Sequence, residues 1–175
     1  PTPVAPETAT SIDGQAIKDA ANEGWLTYGL TYDEQRFSPH TQINKDNAQN
    51  LGLAWSYDTG QYRGHEATPI VDDGVLFLTS TWSIVHALDA RTGQVIWVTD
   101  PGTPREFGRM VCCDVINRGV AIWGDSVYVG TVHGHLARIH KETGELLWSI
   151  DTRENNVHYS LSLIHISEPT RQIVI

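Results

Sequence analysis

A repeat with a period of about 50 residues limits the fold of this chain more than any other feature. Thr92-Gly93 followed by Trp97 recurs as Thr143-Gly144 followed by Trp148, and the two tryptophans are 51 residues apart. Short apolar runs separated by Asp-Gly, Thr-Gly and Gly-Asp dipeptides surround both copies, and such dipeptides are turn signals of β-hairpins. Repeats of about 40–50 residues that hold four strands are typical of β-propeller blades. The sequence therefore predicts an all-β fold with about two blades.

The repeat occupies only part of the chain, and a different pattern precedes it. Residues 1–13 are rich in Pro, Thr and Ala, which is typical of a flexible lead-in. The stretch Gln15–Trp25 has apolar residues at helical spacing and a glycine near its end, so we predict one short helix there. We accordingly divide the chain into a lead-in at 1–50 and a propeller region at 51–160.

The only two cysteines, Cys112 and Cys113, are adjacent in the segment Val111–Gly119. One interpretation is a pair of reduced cysteines acting as small buried hydrophobes. The other is a disulfide between neighbours. Adjacent Cα atoms are about 3.8 Å apart, whereas ordinary disulfides span about 4.4–6.8 Å, so this ring is strained. Strain of this kind persists mainly at functional sites. The residues alone leave both interpretations open.

The charge of the chain excludes one class of partner. Its 175 residues carry 12 basic and 21 acidic side chains, which gives a net charge of -9. No basic stripe is present to neutralise phosphates, so we predict no nucleic-acid partner. No apolar run approaches the length of about 20 residues that spans a bilayer, so we predict no transmembrane segment in this chain.

The segment CCDVINRG, from Cys112 to Gly119, closely resembles that of the quinoprotein alcohol dehydrogenases, which depend on pyrroloquinoline quinone (PQQ). The resemblance covers about Trp25 to Ser160 and implies that the chain is the N-terminal portion of an eight-bladed β-propeller. Other residues match the family pattern outside this segment: Trp25, Tyr28, Gly29, Arg36, Phe37, Ser38, Pro39, Ile43, Asn44 and the tryptophan-docking residues Ala87, Gly93 and Trp97. In the second copy Arg138 replaces the expected alanine, and we expect weaker docking at that blade.

The resemblance implies four cofactor-binding residues in this chain. Cys112 and Cys113 form the vicinal disulfide ring that lies against one face of the quinone, and Arg118 binds the cofactor. Glu66, in the stretch His65-Glu66-Ala67-Thr68-Pro69, hydrogen-bonds the PQQ. Judged without the resemblance, Glu66 reads as a solvated loop carboxylate and Arg118 as a surface arginine. Arg109 is assigned a supporting structural role.

The resemblance also implies an activity: oxidation of an alcohol to an aldehyde with PQQ and calcium in the periplasm. Calcium polarises the quinone carbonyl, an aspartate takes the hydroxyl proton, and electrons pass to a cytochrome c-type or quinone acceptor. The calcium ligands, the catalytic aspartate and any haem c domain are expected beyond this chain, so we assign no catalytic or metal residue within it. An alternative from another class is a non-catalytic propeller scaffold for protein interaction in the bacterial envelope. Such a scaffold has no need of adjacent cysteines or of the Glu66 and Arg118 pair.

We assign no function to two further stretches. His133-Gly134-His135 invites a metal-site hypothesis, but the repeat places Gly134 at a blade turn, so we predict a surface turn. The stretch LSLIHISEPTR, Leu161–Arg171, lacks the turn residues of the blades and looks like the translation of a sequencing-library adaptor. We therefore predict that residues 161–175 are non-native and that the chain is an N-terminal fragment.

Overall fold

The computed structural model describes residues 12–19, 24–111 and 113–153. Within these ranges eight strands form two four-stranded antiparallel sheets, and within each sheet the strands follow one another in sequence order. The first sheet contains β1 (Ile70–Asp72), β2 (Val75–Thr79), β3 (Val85–Asp89) and β4 (Val95–Thr99). The second contains β5 (Ala121–Trp123), β6 (Ser126–Gly130), β7 (His135–His140) and β8 (Leu146–Asp151). The predicted all-β architecture of two four-stranded units is confirmed.

The local sequence explains the hairpins and their common register. Asp73 and Gly74, between β1 and β2, both have positive φ angles, of 47° and 74°, as a tight hairpin turn requires. After β3, the Asp89 carboxylate accepts the backbone N–H of Thr92 at 2.7 Å and so closes the turn to β4. The cross-strand pair Val75–Asp89 recurs as Ser126–His140, 51 residues later. The repeat seen in the sequence is thus a structural repeat.

The core lies between the two sheets. Its buried apolar residues come from both sheets and from the lead-in: Ile12, Ile17, Leu26, Ile70, Phe77, Val85, Ala87, Trp97, Val120, Ile122, Val127, Val129, Ala137 and Ile139. The indole of Trp97 lies over Gly144 of the second sheet and donates its N–H to the Lys141 carbonyl at 2.9 Å. In the same way Trp55 lies over Gly93 and donates to the Ala90 carbonyl at 3.2 Å. Trp97 therefore packs on the second unit, and Trp55, from the run before β1, packs on the first.

Two predicted elements differ from the structure. The helix α1 spans Gly14–Asp19 and does not reach Trp25, because the backbone of Trp25 pairs instead with Val71 of β1. The predicted propeller region opens with the apolar run Leu51–Asp58, which forms no strand, and among the described residues the first ladder begins at Ile70. A strand requires a neighbour to pair with. Here the side chains of this run, rather than its backbone, contact the first sheet.

Some predictions cannot be compared with the structure. Residues 1–11 of the lead-in, residues 20–23 of the predicted helix, Cys112, the end of the second unit up to Ser160 and the tail at 161–175, which we predict to be non-native, lie outside the described residues. Arg138 faces Trp148 across β7 and β8 and binds Asp125 and Ser126 at 3.1 Å and 2.7 Å, so weaker docking at this position stays a prediction. None of the described helices is both long and apolar enough to cross a bilayer.

Candidate cofactor-binding site

Two loops bring Glu66 and Arg118 together, although 52 positions separate these residues in the sequence. One loop precedes β1 and carries Glu66, and the other precedes β5 and carries Arg118. Nη2 of Arg118 lies 3.3 Å from Oε2 of Glu66. The backbones are also joined, because the N–H of Thr68 donates to the Arg118 carbonyl at 3.1 Å. The equivalent edge strands of the two sheets therefore place both predicted residues on one surface.

The pair is exposed enough to receive a ligand. The side chains of Arg118 and Glu66 are 47% and 51% exposed, and at such exposure an ion pair adds little to stability. A guanidinium has five N–H donors, so its contact with Glu66 leaves donors for a second carboxylate. The carboxylate of Glu66 offers hydrogen-bond acceptors next to the Arg118 guanidinium. The arrangement suits an anionic ligand that also carries hydrogen-bond donors.

Arg118 belongs to the loop Val111–Gly119, whose described residues are held at several points. Cys113 is exposed, and Asp114 has a φ of 67°, a conformation that side chains disfavour. The Asp114 carboxylate accepts the Val115 N–H at 2.8 Å and binds Nε of Arg63 at 2.8 Å. Because Cys112 lies outside the described residues, the disulfide and the role of both cysteines stay predictions.

Trp82 links this loop to the first sheet, and two arginines pack on its ring. Trp82, in the turn between β2 and β3, donates its backbone N–H to the Val115 carbonyl at 2.9 Å. The guanidinium carbons of Arg105 and Arg63 lie 4.6 Å and 5.9 Å from the centre of its ring, within the range of cation–π attraction. Arg109 ends a short 3₁₀ turn, Arg105–Arg109, and is exposed. These contacts fix the position of the loop relative to the first sheet.

His133 and Gly134 lie in a turn, as predicted, and His135 begins β7, but His133 is buried. Only 6% of His133 is exposed, because its ring packs edge-on against Phe107 at 5.8 Å and beside His135 at 4.2 Å. Burial lowers the pKa of His133 to about 4, and the charge of His135 adds to the effect. The prediction of a surface turn was therefore wrong for His133. Within the described ranges, no three His, Cys, Asp or Glu side chains are grouped as a metal site.

Sequence reasoning missed two residues that anchor the loop, Ser83 and Asn117. Both are buried, at 0% and 7% exposure. Asn117 stands directly before Arg118, and an asparagine beside a candidate ligand in a turn-rich segment is a usable signal. Ser83 offers no signal in the sequence, because its partners belong to the other sheet.

Comparison with known proteins identifies the relatives of the chain. A family model described as "PQQ: Glucose/ethanol/alcohol dehydrogenase, beta-propeller domain" matches residues 25–150. The structure resembles the quinohemoprotein alcohol dehydrogenase ADHIIG of Pseudomonas putida, with a TM-score of 0.84 and 48% identity, over 87% of this chain and 23% of that one. It also resembles the quinohemoprotein alcohol dehydrogenase of Comamonas testosteroni, with a TM-score of 0.82 and 44% identity, over 86% of this chain and 23% of that one.

A third relative is named for its electron acceptor. The 1-butanol dehydrogenase (cytochrome c) of Thauera butanivorans is 50% identical over 133 residues, which cover 76% of this chain and 19% of that protein. The chain thus spans about a fifth of the length of the curated relatives it matches.

Proposed function

The chain belongs to the β-propeller family of PQQ-dependent glucose, ethanol and alcohol dehydrogenases, and from this premise we propose that it supplies one side of the PQQ site of an alcohol dehydrogenase. The observation that carries the proposal is the convergence of Glu66 and Arg118, at 3.3 Å, with Arg118 in the loop that also carries Cys113. The scaffold alternative gives no reason for an exposed pair of this kind in a chain that also carries adjacent cysteines in the loop of Arg118. Relatives named as alcohol dehydrogenases support the enzymatic function.

The residues present fit PQQ. This cofactor carries three carboxylates, and a guanidinium meets a carboxylate with two parallel charge-assisted hydrogen bonds. Arg118 retains N–H donors for a PQQ carboxylate. Glu66 partly neutralises the charge of Arg118 when no ligand is bound. When bound, PQQ supplies a quinone that takes up two electrons from the alcohol. The part of this chain is to bind and orient the cofactor through Glu66 and Arg118, with Cys112 and Cys113 as the surface beneath the quinone.

The complete reaction requires groups that we assign to other parts of the enzyme. The alcohol loses two electrons and two protons and becomes an aldehyde, and the electrons pass to a cytochrome c-type or quinone acceptor. Calcium and the base that removes the hydroxyl proton belong to later segments of an eight-bladed propeller. The cytochrome c in the name of the Thauera relative supports the first acceptor. We propose a periplasmic location, because the disulfide predicted between the two cysteines requires an oxidising compartment.

The domain limits that we propose follow from the change of sequence pattern along the chain and from the adaptor-like tail. Residues 1–50 form the lead-in, 51–160 the propeller region, and 161–175 a tail of adaptor origin. The family match over 25–150 supports the central region.

Reconstitution tests the proposed activity. The complete dehydrogenase that contains this segment is purified without cofactor and assayed for dye-linked oxidation of primary alcohols after addition of PQQ and calcium. We expect activity that requires both additions. The 175-residue chain, treated in the same way, serves as the comparison and should show none, because it lacks the opposite side of the site. A complete protein that neither binds PQQ nor oxidises alcohols would favour the scaffold function.

A further inference from the structure

Asn117 has a buried side-chain amide whose donors and acceptor are all engaged. Its Nδ2 donates to Oγ of Ser83 at 3.1 Å and to the Gly130 carbonyl at 2.8 Å. Its Oδ1 accepts the N–H of Gly119 at 3.0 Å. One amide therefore joins the first sheet, the second sheet and the loop in which it stands. Buried polar groups that are fully satisfied in this way hold a single arrangement, since any other leaves them unpaired.

Ser83 connects the amide to a strained turn. Ser83 and Trp82 are consecutive residues with φ angles of 63° and 65°, and two such side chains in succession are held only where their surroundings fix them. Oγ of Ser83 receives the Asn117 amide and also the N–H of Val132 at 3.1 Å. The backbone N–H of Trp82 donates to Val115 in the same loop. The turn and the loop thus hold each other in place.

The consequence falls on Arg118. Its neighbours on both sides, Asn117 and Gly119, are buried, and its own carbonyl accepts the N–H of Thr68. Its guanidinium is nevertheless half exposed and bound to Glu66. A flexible side chain thus projects from a backbone that is fixed at the preceding, the same and the following residue.

We propose that Asn117 is a positioning residue for cofactor binding: through Ser83 and Gly130 it fixes the backbone from which Arg118 meets a carboxylate of PQQ. The inference rests on the proposed function. It assigns Asn117 no contact with the cofactor. Its effect is transmitted entirely by Arg118. A guanidinium on a fixed backbone loses less conformational entropy when it binds a carboxylate than one on a mobile backbone, so the affinity is higher.

A double-mutant cycle in the complete dehydrogenase tests this proposal. PQQ affinity is titrated for the apoenzyme and for Asn117→Ala, Asn117→Asp, Arg118→Ala and the pair Asn117→Ala with Arg118→Ala. We expect Asn117→Ala to weaken binding by about tenfold or more, and to weaken it by less than about twofold once Arg118 is absent. Asn117→Asp keeps the size but removes both donors, and it should behave like Asn117→Ala.

A matched control separates positioning from loss of stability. Val127→Ala removes a fully buried side chain from the core of the second sheet, so it should lower the Tm and leave PQQ affinity unchanged. If Asn117→Ala does not fold, Ser83→Ala, which keeps Asn117 but removes the hydroxyl that accepts from Asn117 and Val132, is measured in the same cycle with Arg118→Ala.

Three results would overturn the inference. The first is wild-type affinity in the Asn117 or Ser83 variants, and the second is an effect of the same size with and without Arg118. In both cases the loss of binding in Arg118→Ala leaves the proposed function standing. The third is the absence of PQQ binding by the wild-type apoenzyme, which removes the proposed function together with the inference.

Discussion

The indole of Trp97 and the α-carbon of Gly144 are in such close contact that a methyl group on Gly144 would lie 2.7 Å from the ring. Trp97 belongs to the last strand of the first sheet, and Gly144 to the turn before the last strand of the second. The contact therefore sets the distance between the sheets. The same relationship between Trp55 and Gly93 places the run before β1 against the first sheet.

Gly144→Ala should destabilise the chain by about 3 kcal/mol. Overpacking against Trp97 adds to the cost of placing a side chain on a residue with left-handed backbone conformation. Gly74→Ala provides the control, since Gly74 has almost the same φ, 74° against 73°, and nothing within 4 Å of its added methyl group. We expect it to cost only about 1 kcal/mol. The free energy of unfolding from urea denaturation measures both. Equal losses in the two variants would show that the tryptophan contact is unimportant.

A second link between the sheets is the ion pair of Lys141 with Asp72, whose charged atoms are 2.7 Å apart and whose side chains are 11% and 16% exposed. Lys141→Met should cost roughly 2–3 kcal/mol, since it leaves a nearly buried carboxylate without its partner. Adding Asp72→Leu should recover much of this loss, because the stranded charge is then removed. Urea denaturation of the single and double variants measures their free energies of unfolding. A double variant less stable than Lys141→Met contradicts this view.

Acid should destabilise the chain through His86, which is 2% exposed and hydrogen-bonded to Tyr57 at 2.9 Å and Ser80 at 2.8 Å. Burial lowers the pKa of His86 to about 4, and the charge of His65 adds to the effect. As the pH falls below about 6.5, His86 is protonated in the unfolded chain but stays neutral in the folded chain. Stability is therefore lost between about pH 6.5 and pH 4.

His86→Asn should reduce the slope of unfolding free energy against pH, measured near pH 5.5, by about 1.4 kcal/mol per pH unit, the contribution of one proton. The buried His133 has the same lowered pKa, of about 4, for the same reason, so part of the slope should remain. His40→Asn, at an exposed position, is the control and should leave the slope as it is. An unchanged slope in His86→Asn would mean that this histidine is protonated in the folded chain.

The sequence predicts the repeating parts of this molecule better than the parts that depend on distant partners. Strands and turns depend on local sequence, so the 51-residue spacing between the two units can be predicted from the sequence. The run Leu51–Asp58 has the composition of a strand but no described neighbour to pair with, and Trp25 leaves the predicted helix because Val71 pairs with it. His133 is buried by Phe107, a residue 26 positions away.

The candidate site shows the same division. Residue chemistry alone gave Glu66 and Arg118 no special meaning, and only the resemblance of whole segments identified them. Their proximity arises because both precede the first strands of adjacent sheets. The hydrogen bond between Asn117 and Ser83 joins residues 34 positions apart, and no local pattern marks such a pair.

The cysteine pair should be oxidised in dehydrogenase that has been exported to an oxidising compartment. Trypsin cleaves after Arg109 and Arg118, so one peptide, Met110–Arg118, contains both Cys112 and Cys113. Its mass should be two hydrogens below that of the dithiol, and both sulfurs should react with iodoacetamide only after reduction. Alkylation of both cysteines without reductant would contradict the predicted ring.

The affinity of the complete apoenzyme for PQQ, compared between wild type and Arg118→Ala, tests the central claim most directly. Arg91→Ala is the control, because Arg91 is an exposed arginine in the turn after β3. Arg118→Ala should weaken binding by about 1.5–3 kcal/mol, the contribution of a charged hydrogen bond, which corresponds to roughly 10- to 150-fold. Arg91→Ala should bind PQQ as the wild type does. Equal affinity in Arg118→Ala and wild type would remove Arg118 from the site and contradict the account.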